Sequence, residues 1–212
     1  LGIPVEYAMR YGEPAIAAAL ERLPRDGVVV VPLYPQYSES TTQSVADKLP
    51  PGLAMVHDFH DHPAYIAACA AQLRRHWERN GPGELLVLSF HGLPRRGGAA
   101  YEAQCRTSAG LLQQALGMPE TLVTFQSRFG YAEWLQPYTE PTLVALAAAG
   151  KRRVDVFCPG FVADCLETLE EIGIGARGAF CAAGGEELYV APCLNDSPEW
   201  IAALAEIAEG AA

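Results

Sequence analysis

After residue 80, the sequence alternates short apolar runs with segments long enough to form helices, and this alternation strongly limits the folds it can adopt. The apolar runs are Leu85–Phe90, Thr121–Gln126, Val154–Cys158 and Glu187–Ala191. The helical segments that follow them are Ala99–Leu116, Pro141–Ala149, Cys165–Ile172 and Pro198–Ala208, the last capped by Ser197. Successive strands joined by helices lie parallel in one sheet. The pattern therefore predicts an α/β unit with helices on both faces of a parallel sheet.

The first 80 residues repeat only the end of this pattern. Val28–Leu33 is a continuous apolar run rich in β-branched residues, which is typical of a strand covered on both faces. The other predicted elements are strands at Val5–Met9 and Leu53–Val56 and helices at Pro14–Leu23, Thr42–Leu49 and Pro63–Arg79. The NGPG sequence at Asn80–Gly83 then breaks the chain. We predict two similar Rossmann-like α/β units with parallel sheets flanked by helices, an incomplete one over residues 1–80 and a complete one over residues 81–212.

The composition excludes several classes of function. The formal net charge is −10, with no dense run of Lys or Arg, so binding to nucleic acid is not expected. No apolar stretch approaches the roughly 20 residues that span a bilayer, and no signal peptide is visible. The six cysteines are widely separated, which favours a reducing compartment, the cytoplasm, or a metal site over a disulfide framework. Because the chain begins with Leu1 rather than Met, its natural N-terminus is predicted to lie upstream.

Ligands of open parallel sheets bind beyond the carboxyl ends of the strands. The segments that follow the predicted strands are Tyr34–Ser38, His91–Gly92, Ser127–Arg128, Pro159–Phe161 and Cys193–Asn195. Among these, the imidazole of His91 is best suited to proton transfer or metal binding at neutral pH. We therefore predict that His91 and the Pro159–Phe161 loop share one edge of the second sheet. The absence of a G-x-S-x-G motif argues against a serine hydrolase.

Acidic residues at the start of a predicted helix have two explanations. Asp164 and Glu167 have the spacing of a capping box, in which both charges favour the helix N-terminus. Glu167 and Glu171 are four residues apart, so they would share one face of the helix. Two carboxylates beside a cleft could bind a cation or relay protons. The residues alone leave both explanations open.

Two further motifs have simpler structural explanations. Gly173–Gly178 fits G-x-G-x-x-G, but it follows a charged helical pattern rather than a strand. We interpret it as a helix end with glycine caps rather than a dinucleotide site. His57–His62, with the sequence HDFHDH, could bind a metal ion. The alternative is a solvated loop in which Asp61 caps the helix that begins at Pro63.

Six segments that span nearly the whole chain carry a more specific signal. They are Met9–Pro14 (MRYGEP), Val30–Thr42 (VVPLYPQYSESTT), Leu88–Pro94 (LSFHGLP), Thr124–Thr139 (TFQSRFGYAEWLQPYT), Cys158–Ile172 (CPGFVADCLETLEEI) and Pro192–Ile201 (PCLNDSPEWI). Together, and in this order, they resemble the ferrochelatase family, whose members insert ferrous iron into a porphyrin to make haem.

The resemblance implies a porphyrin cleft between two similar α/β units. It implies that His91 is the essential histidine and that Glu167 handles the metal and protons. The other predicted cleft residues are Arg10, Tyr11, Tyr37, Trp134, Phe161, Asp164 and Glu171. The implied substrates are Fe²⁺ and protoporphyrin IX, with protohaem as the product. A chelatase for coproporphyrin or sirohydrochlorin, or a fragment that binds tetrapyrrole or iron without catalysis, remains an alternative.

The chain departs from the family pattern in three places. The family's opening third has no counterpart, so the chain is predicted to be a fragment. The loop between His91 and Tyr101 is short, and Cys165 stands where some members have a second histidine. Peripheral membrane contact is known in the family, although the sequence has no basic amphipathic face that would supply it. The oligomeric state is not predicted.

The cysteines of the second unit raise the question of an iron–sulfur cluster. Cys158, Cys165, Cys181 and Cys193 have the spacing C-x6-C-x15-C-x11-C. Some ferrochelatases carry a [2Fe–2S] cluster on four cysteines, and four thiolates are what such a cluster needs. The alternative is that these residues are small, buried, apolar side chains.

Overall fold

The computed structural model describes residues 2–24 and 26–211. Its parallel strands are β1 Val29–Val30, β2 Ala54–Met55, β3 Leu86–His91, β4 Thr121–Gln126, β5 Arg153–Phe157 and β6 Glu187–Val190. Strands β1 and β2 form a small sheet, and the other strands form the main sheet in the spatial order β4-β3-β5-β6. All of these pairings are parallel, which confirms the predicted α/β class.

Strand β3 lies inside the main sheet because both of its faces are apolar. Residues 86–90 are fully buried, as expected for a strand covered by helices on both sides. Strand β3 pairs with β4 along its whole length but with β5 only through Leu86–Leu88. Its last residues, Ser89–His91, therefore extend beyond the paired part of β5. The next two strands in the sequence, β4 and β5, lie on opposite sides of β3. In open α/β sheets, such a reversal of strand order leaves a crevice at the carboxyl ends of the strands, so one is expected at the end of β3.

The helices cover both faces of the main sheet. The α-helices are α1 Ile16–Leu20, α2 Ser44–Ala46, α3 Pro63–Asn80, α4 Ala99–Leu116, α5 Thr139–Ala148, α6 Arg177–Ala182 and α7 Pro198–Glu209. Two segments have the wider winding of a π-helix, π1 Glu39–Gln43 and π2 Glu167–Ala176. Long π-helical segments are rare and often lie at functional sites. Across residues 2–24 and 26–211, no helix is both long and apolar enough to cross a membrane.

The helix predicted at Cys165–Ile172 continues through the glycines that follow it. Gly173–Gly178 lies within π2 and α6, so the prediction that these glycines end the helix was wrong. The winding continues because Ile172, Ala176 and Phe180 are buried in one cluster against the sheet. This packing outweighs the low helix propensity of glycine.

The first unit contains less regular structure than predicted. Strands β1 and β2 are two residues each, although the apolar patterns predict longer strands at Val28–Leu33 and Leu53–Val56. Val5–Met9 forms no strand, and this prediction was wrong. Val5 and Tyr7 are 72% and 71% exposed, and neither pairs with a strand in the described part of the chain. An apolar run without a pairing partner cannot form a stable strand.

Helix α3 packs through its buried face against elements beyond the predicted domain boundary. Tyr65, Cys69 and Leu73 belong to the same core cluster as residues of β3, α4 and α7. The Tyr65 hydroxyl also donates a hydrogen bond to the Pro159 carbonyl, 2.6 Å away in the loop after β5. The domain boundary after residue 80 stays a prediction, but α3, which precedes it, packs against elements that follow it.

One predicted helix cap was wrong, and the other is confirmed in position but not in its side-chain hydrogen bond. The sequence predicts that Asp61 caps α3, but Nδ1 of His62 accepts the hydrogen bond from the Ala64 N–H at 3.3 Å. Ser197 occupies the position before α7, yet its hydroxyl makes no capping hydrogen bond. Proline occupies the first position of both helices. Proline has a fixed φ that suits the start of a helix, and it has no backbone N–H that would need a hydrogen-bond partner. A side-chain cap is therefore less necessary in these helices.

Replacing Leu73 with alanine should lower the free energy of unfolding by about 2–5 kcal/mol, because Leu73 is fully buried between α3 and the main sheet. Urea denaturation measures this change. The matched control is Leu169→Ala, since Leu169 is 60% exposed on π2. The control should change the free energy of unfolding by less than about 0.5 kcal/mol. Equal losses in the two variants would contradict the assigned core.

Candidate active site

Residues that end the strands of the main sheet meet at one edge. His91 is the last residue of β3 and lies directly opposite Gln126, the last residue of β4. Pro159–Phe161 follows β5, and the ring centroids of His91 and Phe161 are 6.2 Å apart. The prediction that His91 and this loop share one edge is therefore confirmed.

The imidazole of His91 has one nitrogen engaged by the backbone. Its Nδ1 lies 2.6 Å from the carbonyl oxygen of Gly92. Because a carbonyl oxygen can only accept, Nδ1 carries the proton and Nε2 is the nitrogen with a lone pair. The Tyr101 hydroxyl donates to the His91 carbonyl at 2.9 Å and so fixes the backbone below the ring. His91 is half-buried, and Nε2 can accept a proton or bind a metal.

Only glycine fits at the position after His91. A Cβ at Gly92 would lie 2.8 Å from the Gln126 carbonyl oxygen and 3.2 Å from Cε3 of Trp134. The Trp134 ring, predicted from the family resemblance to shape the cleft, is buried beneath this turn. Its indole N–H donates to the Phe129 carbonyl at 3.0 Å. The tight turn ends β3 and fixes the direction of the imidazole.

The Glu171 carboxylate anchors π2 to the end of β4. Its Oε1 accepts from the Ser127 N–H at 2.7 Å, and its Oε2 accepts from the Ser127 hydroxyl at 2.6 Å. The Gln126 side-chain amide lies 3.3 Å from the same Oε2. Ser127 has a φ of 62°, a left-handed conformation that is uncommon outside glycine. The backbone of Ser127 is thus held in an unusual conformation while it binds this carboxylate.

Glu167 lies at the start of π2 and is held differently. Its carbonyl oxygen accepts from Nε2 of Gln126 at 2.7 Å. Partial burial, and then the neighbouring Glu167 carboxylate, raise the pKa of the Cys165 thiol. The donor beside the Glu167 carboxylate is the Cys165 thiol, which is a weak one, whereas the Ser127 N–H and hydroxyl hold Glu171. The two carboxylates therefore differ in role, since Glu171 is an anchor and Glu167 is more available.

Asp164 does not form the predicted capping box with Glu167, because Leu166 precedes π2 and the Asp164 side chain turns toward the loop after β6. Its carboxylate accepts from the Asn195 amide at 2.7 Å, the Thr168 hydroxyl at 3.1 Å and the Cys193 N–H at 3.2 Å. Burial alone would raise the pKa of Asp164, but these hydrogen bonds, led by that from Asn195, hold it below its usual value. Asp164 therefore joins π2 to the end of β6 as a carboxylate.

Comparison with protein-family models matches residues 1–212 to the family described as Ferrochelatase. The chain belongs to the ferrochelatase family. The resemblance found in the sequence is confirmed at the level of the family. The roles of His91 and Glu167 stay predictions.

Individual relatives support the same assignment. The chain is 51% identical over 221 residues to the ferrochelatase of Polaromonas sp. (strain JS666 / ATCC BAA-500), covering 96% of the chain and 60% of the relative. It is 53% identical over 221 residues to the ferrochelatase of Methylibium petroleiphilum, and this match covers 96% of the chain and 61% of the relative. It is also 52% identical over 219 residues to the ferrochelatase of Azoarcus sp. (strain BH72), and this match covers 95% of the chain and 60% of the relative. The chain thus spans about 60% of the length of the curated relatives it matches.

Solved structures show the same fold at low sequence identity. SirB from Bacillus subtilis with Fe3+ matches with a TM-score of 0.68 and 17% identity, covering 99% of this chain and 86% of SirB. CbiX, described as the terminal enzyme for the biosynthesis of siroheme in denitrifying bacteria, matches with a TM-score of 0.62 and 20% identity. The coverage is 93% of this chain and 82% of CbiX. These matches confirm the chelatase-type α/β fold of this ferrochelatase-family chain.

Three of the cleft residues predicted from the family lie in the first unit. The Arg10 guanidinium lies over the Tyr11 ring at 4.3 Å, and its Nε donates to the Ser44 carbonyl at 2.5 Å. The Tyr37 hydroxyl donates to Oε1 of Gln43 at 3.0 Å. These contacts connect Arg10 to α2 and Tyr37 to π1, and the roles of all three residues toward a porphyrin stay predictions.

The four cysteines proposed as cluster ligands do not come together. Cys158 and Cys193 are buried at the carboxyl edge of the main sheet, and Cys165 is partly exposed near them. Cys181 is exposed at the end of α6, and its thiol points to the Glu186 carbonyl, 3.8 Å away, before β6 begins. Because a strand rises about 3.3 Å per residue, the length of β6 separates the two edges by roughly 10 Å or more. The structure therefore does not support the predicted [2Fe–2S] ligand set.

Thiol labelling should distinguish these cysteines. Cys181 is expected to react first with iodoacetamide, because it is exposed, whereas burial raises the pKa of the Cys158 and Cys193 thiols well above their ordinary value. The thiolate is the reactive form, so both buried thiols should stay unlabelled in the folded protein. Mass spectrometry of the labelled protein measures this order. The Cys181→Ser variant should lose the fast label, and rapid labelling of Cys158 would contradict the structure.

The HDFHDH segment contains a compact group of metal-ligand atoms. One side-chain atom each from Asp58, His60 and Asp61 lies within 4.8 Å of the others. Nδ1 of His60 is 2.7 Å from Oδ1 of Asp58, a contact that also suits an ordinary surface loop. The metal-binding and loop explanations of this segment both stand as predictions.

Two polar residues of the site have roles that sequence reasoning missed. Gln126 bridges β4 and π2, and Asn195 binds Asp164. Gln126 follows the β-prone TLVTF run and carries its only amide side chain at the strand end, and this was the one signal that could have identified it. Asn195 falls in a predicted strand-end loop, but nothing local indicates its partner 31 residues away.

Proposed function

We propose that the protein containing this chain inserts ferrous iron into protoporphyrin IX to form protohaem. The observation that carries this proposal is membership of the ferrochelatase family over residues 1–212. The fold supports it, because His91 ends β3 at the edge of the sheet where parallel α/β folds bind ligands, and its Nε2 can accept a proton.

The reaction requires a base and an oxygen ligand. Fe²⁺ replaces two pyrrole N–H protons of the porphyrin, so two protons must leave the site for every iron inserted. Nε2 of His91 is placed to accept such a proton, since imidazole exchanges protons readily near neutral pH. A carboxylate suits a hydrated divalent iron and can also carry protons outward. Glu167 fits this second role better than Glu171, whose oxygens are held by Ser127.

The choice of tetrapyrrole is tested by offering three of them to the full-length protein under anaerobic conditions. Fe²⁺ is supplied with protoporphyrin IX, coproporphyrin or sirohydrochlorin, and the absorption of each metallated product is followed. We expect the fastest insertion with protoporphyrin IX. Faster insertion into either of the others would replace the proposed substrate. Tetrapyrrole binding without metallation would overturn the enzymatic proposal.

We also infer a cytoplasmic location from the cysteines. All six are free thiols, and four of them are buried. Free thiols favour a reducing compartment. Fractionation of cells that express the tagged full-length protein tests this location, and its distribution between supernatant and membrane fractions tests peripheral membrane contact.

A further inference from the structure

The Gln126 side chain is buried at the centre of the site. Gln126 is only 4% exposed and lies directly opposite His91 in the β3–β4 register. A buried amide is costly unless both its oxygen and its nitrogen find hydrogen-bond partners. The partners of Gln126 therefore show what this residue holds in place.

The oxygen of the Gln126 amide faces donors from the main sheet. Oε1 accepts from the Ser89 hydroxyl at 2.7 Å, and the Cys158 thiol lies 3.5 Å away. Burial raises the pKa of that thiol, so the thiol stays protonated and can donate. The Ser89 hydroxyl is also 2.8 Å from Oγ1 of Thr139, which fixes its position in the core. Because two donors face this end of the Gln126 side chain, this end is the amide oxygen rather than the amide nitrogen.

The nitrogen of the same amide faces two acceptors that both belong to π2. Nε2 donates to the Glu167 carbonyl at 2.7 Å and toward Oε2 of Glu171 at 3.3 Å. Both protons of the amide are therefore used on π2. We infer that Gln126 is a positioning residue that sets the first turn of π2, and with it Glu167, against His91. The consequence for catalysis rests on the proposed iron insertion.

The Gln126→Glu substitution tests this inference because it changes one atom and little volume. One carboxyl oxygen can still accept from Ser89. The other would face the Glu167 carbonyl and the Glu171 carboxylate, which are acceptors only. The substituted side chain would therefore fit only when it is protonated, and burial among acceptors raises the pKa of such a carboxyl group. Positioning of π2 should then depend on pH.

The first measurement is hydrogen exchange of the π2 amides, which needs no turnover. In Gln126→Glu, exchange across Glu167–Ala176 should be about tenfold faster than in the wild type at about pH 8 and close to the wild type at about pH 6. In Gln126→Met, which has a similar volume but no hydrogen bonds, exchange should be faster at both pH values. The matched control is Gln114→Glu, on the exposed surface of α4, which should follow the wild type.

The second measurement is the pH profile of iron insertion by the full-length protein. For Gln126→Glu, kcat should be about tenfold below that of the wild type at about pH 8, with little change in the porphyrin KM, and the ratio of the two kcat values should return toward one as the pH is lowered. Unchanged exchange of π2 would overturn the inference. Faster exchange with a wild-type pH profile of kcat would also overturn it, because Gln126 would then be structural only. If the wild type inserts no iron, the proposed function fails, and the pH dependence of exchange still decides whether Gln126 positions π2.

Discussion

Replacing His91 with alanine is expected to reduce iron insertion by about 10²–10⁴-fold, the range that a positioned general base contributes. Alanine removes Nε2 of His91, the ring nitrogen that keeps a lone pair when Nδ1 donates to the Gly92 carbonyl at the carboxyl end of β3. The side chain is half-buried, and within residues 2–24 and 26–211 its one hydrogen bond is to the adjacent Gly92 carbonyl. The substitution should therefore leave the fold intact. Anaerobic kcat/KM for Fe²⁺ and protoporphyrin IX measures the loss.

Two controls separate the chemistry of His91 from its packing. The urea midpoint of His91→Ala should remain close to that of the wild type. Free imidazole added to the variant should restore part of the activity, because it can occupy the vacated space and accept the proton. Wild-type activity should not rise with imidazole. Turnover of His91→Ala at the wild-type rate would refute the role of this residue.

Glu167→Gln should lower kcat by about 100-fold or more, because the amide keeps the shape of the side chain but can neither accept a proton nor supply a charged ligand for iron. The contact that positions this turn involves the Glu167 backbone carbonyl, which the substitution retains. The porphyrin KM should therefore change little. Steady-state kinetics with varied porphyrin and saturating iron measure kcat and the porphyrin KM separately, and only kcat should fall.

The matched control for Glu167→Gln is Glu170→Gln. Glu170 has the same side chain on the same helix but is exposed to solvent. Its replacement should change kcat by less than about twofold, as expected for a surface site away from the reacting atoms. Equal losses in the two variants would mean that overall negative charge near π2, rather than Glu167 itself, supports the reaction.

Much of the second unit could be predicted from local patterns. Helix Ala99–Leu116 and strand Thr121–Gln126 have the predicted bounds, because their lengths and apolar spacing are set by neighbouring residues. The first unit was harder to predict. Strand formation at Val5–Met9 depends on a pairing partner rather than on the run itself, and in the described structure the run has only an isolated bridge from Met9 to Ala15.

The site shows the same division at the level of single residues. The position of His91 at a strand end could be predicted, since apolar residues precede it and a glycine and a proline follow at once. The different environments of Glu167 and Glu171 could not. Glu171 is bound by Ser127, which is 44 residues away in the sequence. A four-residue spacing within a helix contains no information about that partner.

The sequence by itself determined the parallel α/β class, the family and the edge of the sheet where His91 lies. A strand that is buried on both faces appears as a continuous apolar run, and the turn that ends it appears as the nearby glycine and proline, so both leave local patterns. Only the tertiary structure decided how π2 winds, which carboxylate is anchored and that Cys181 lies apart from Cys158. These features depend on hydrogen bonds and packing between segments that are distant in the chain. Local residue patterns do not encode them.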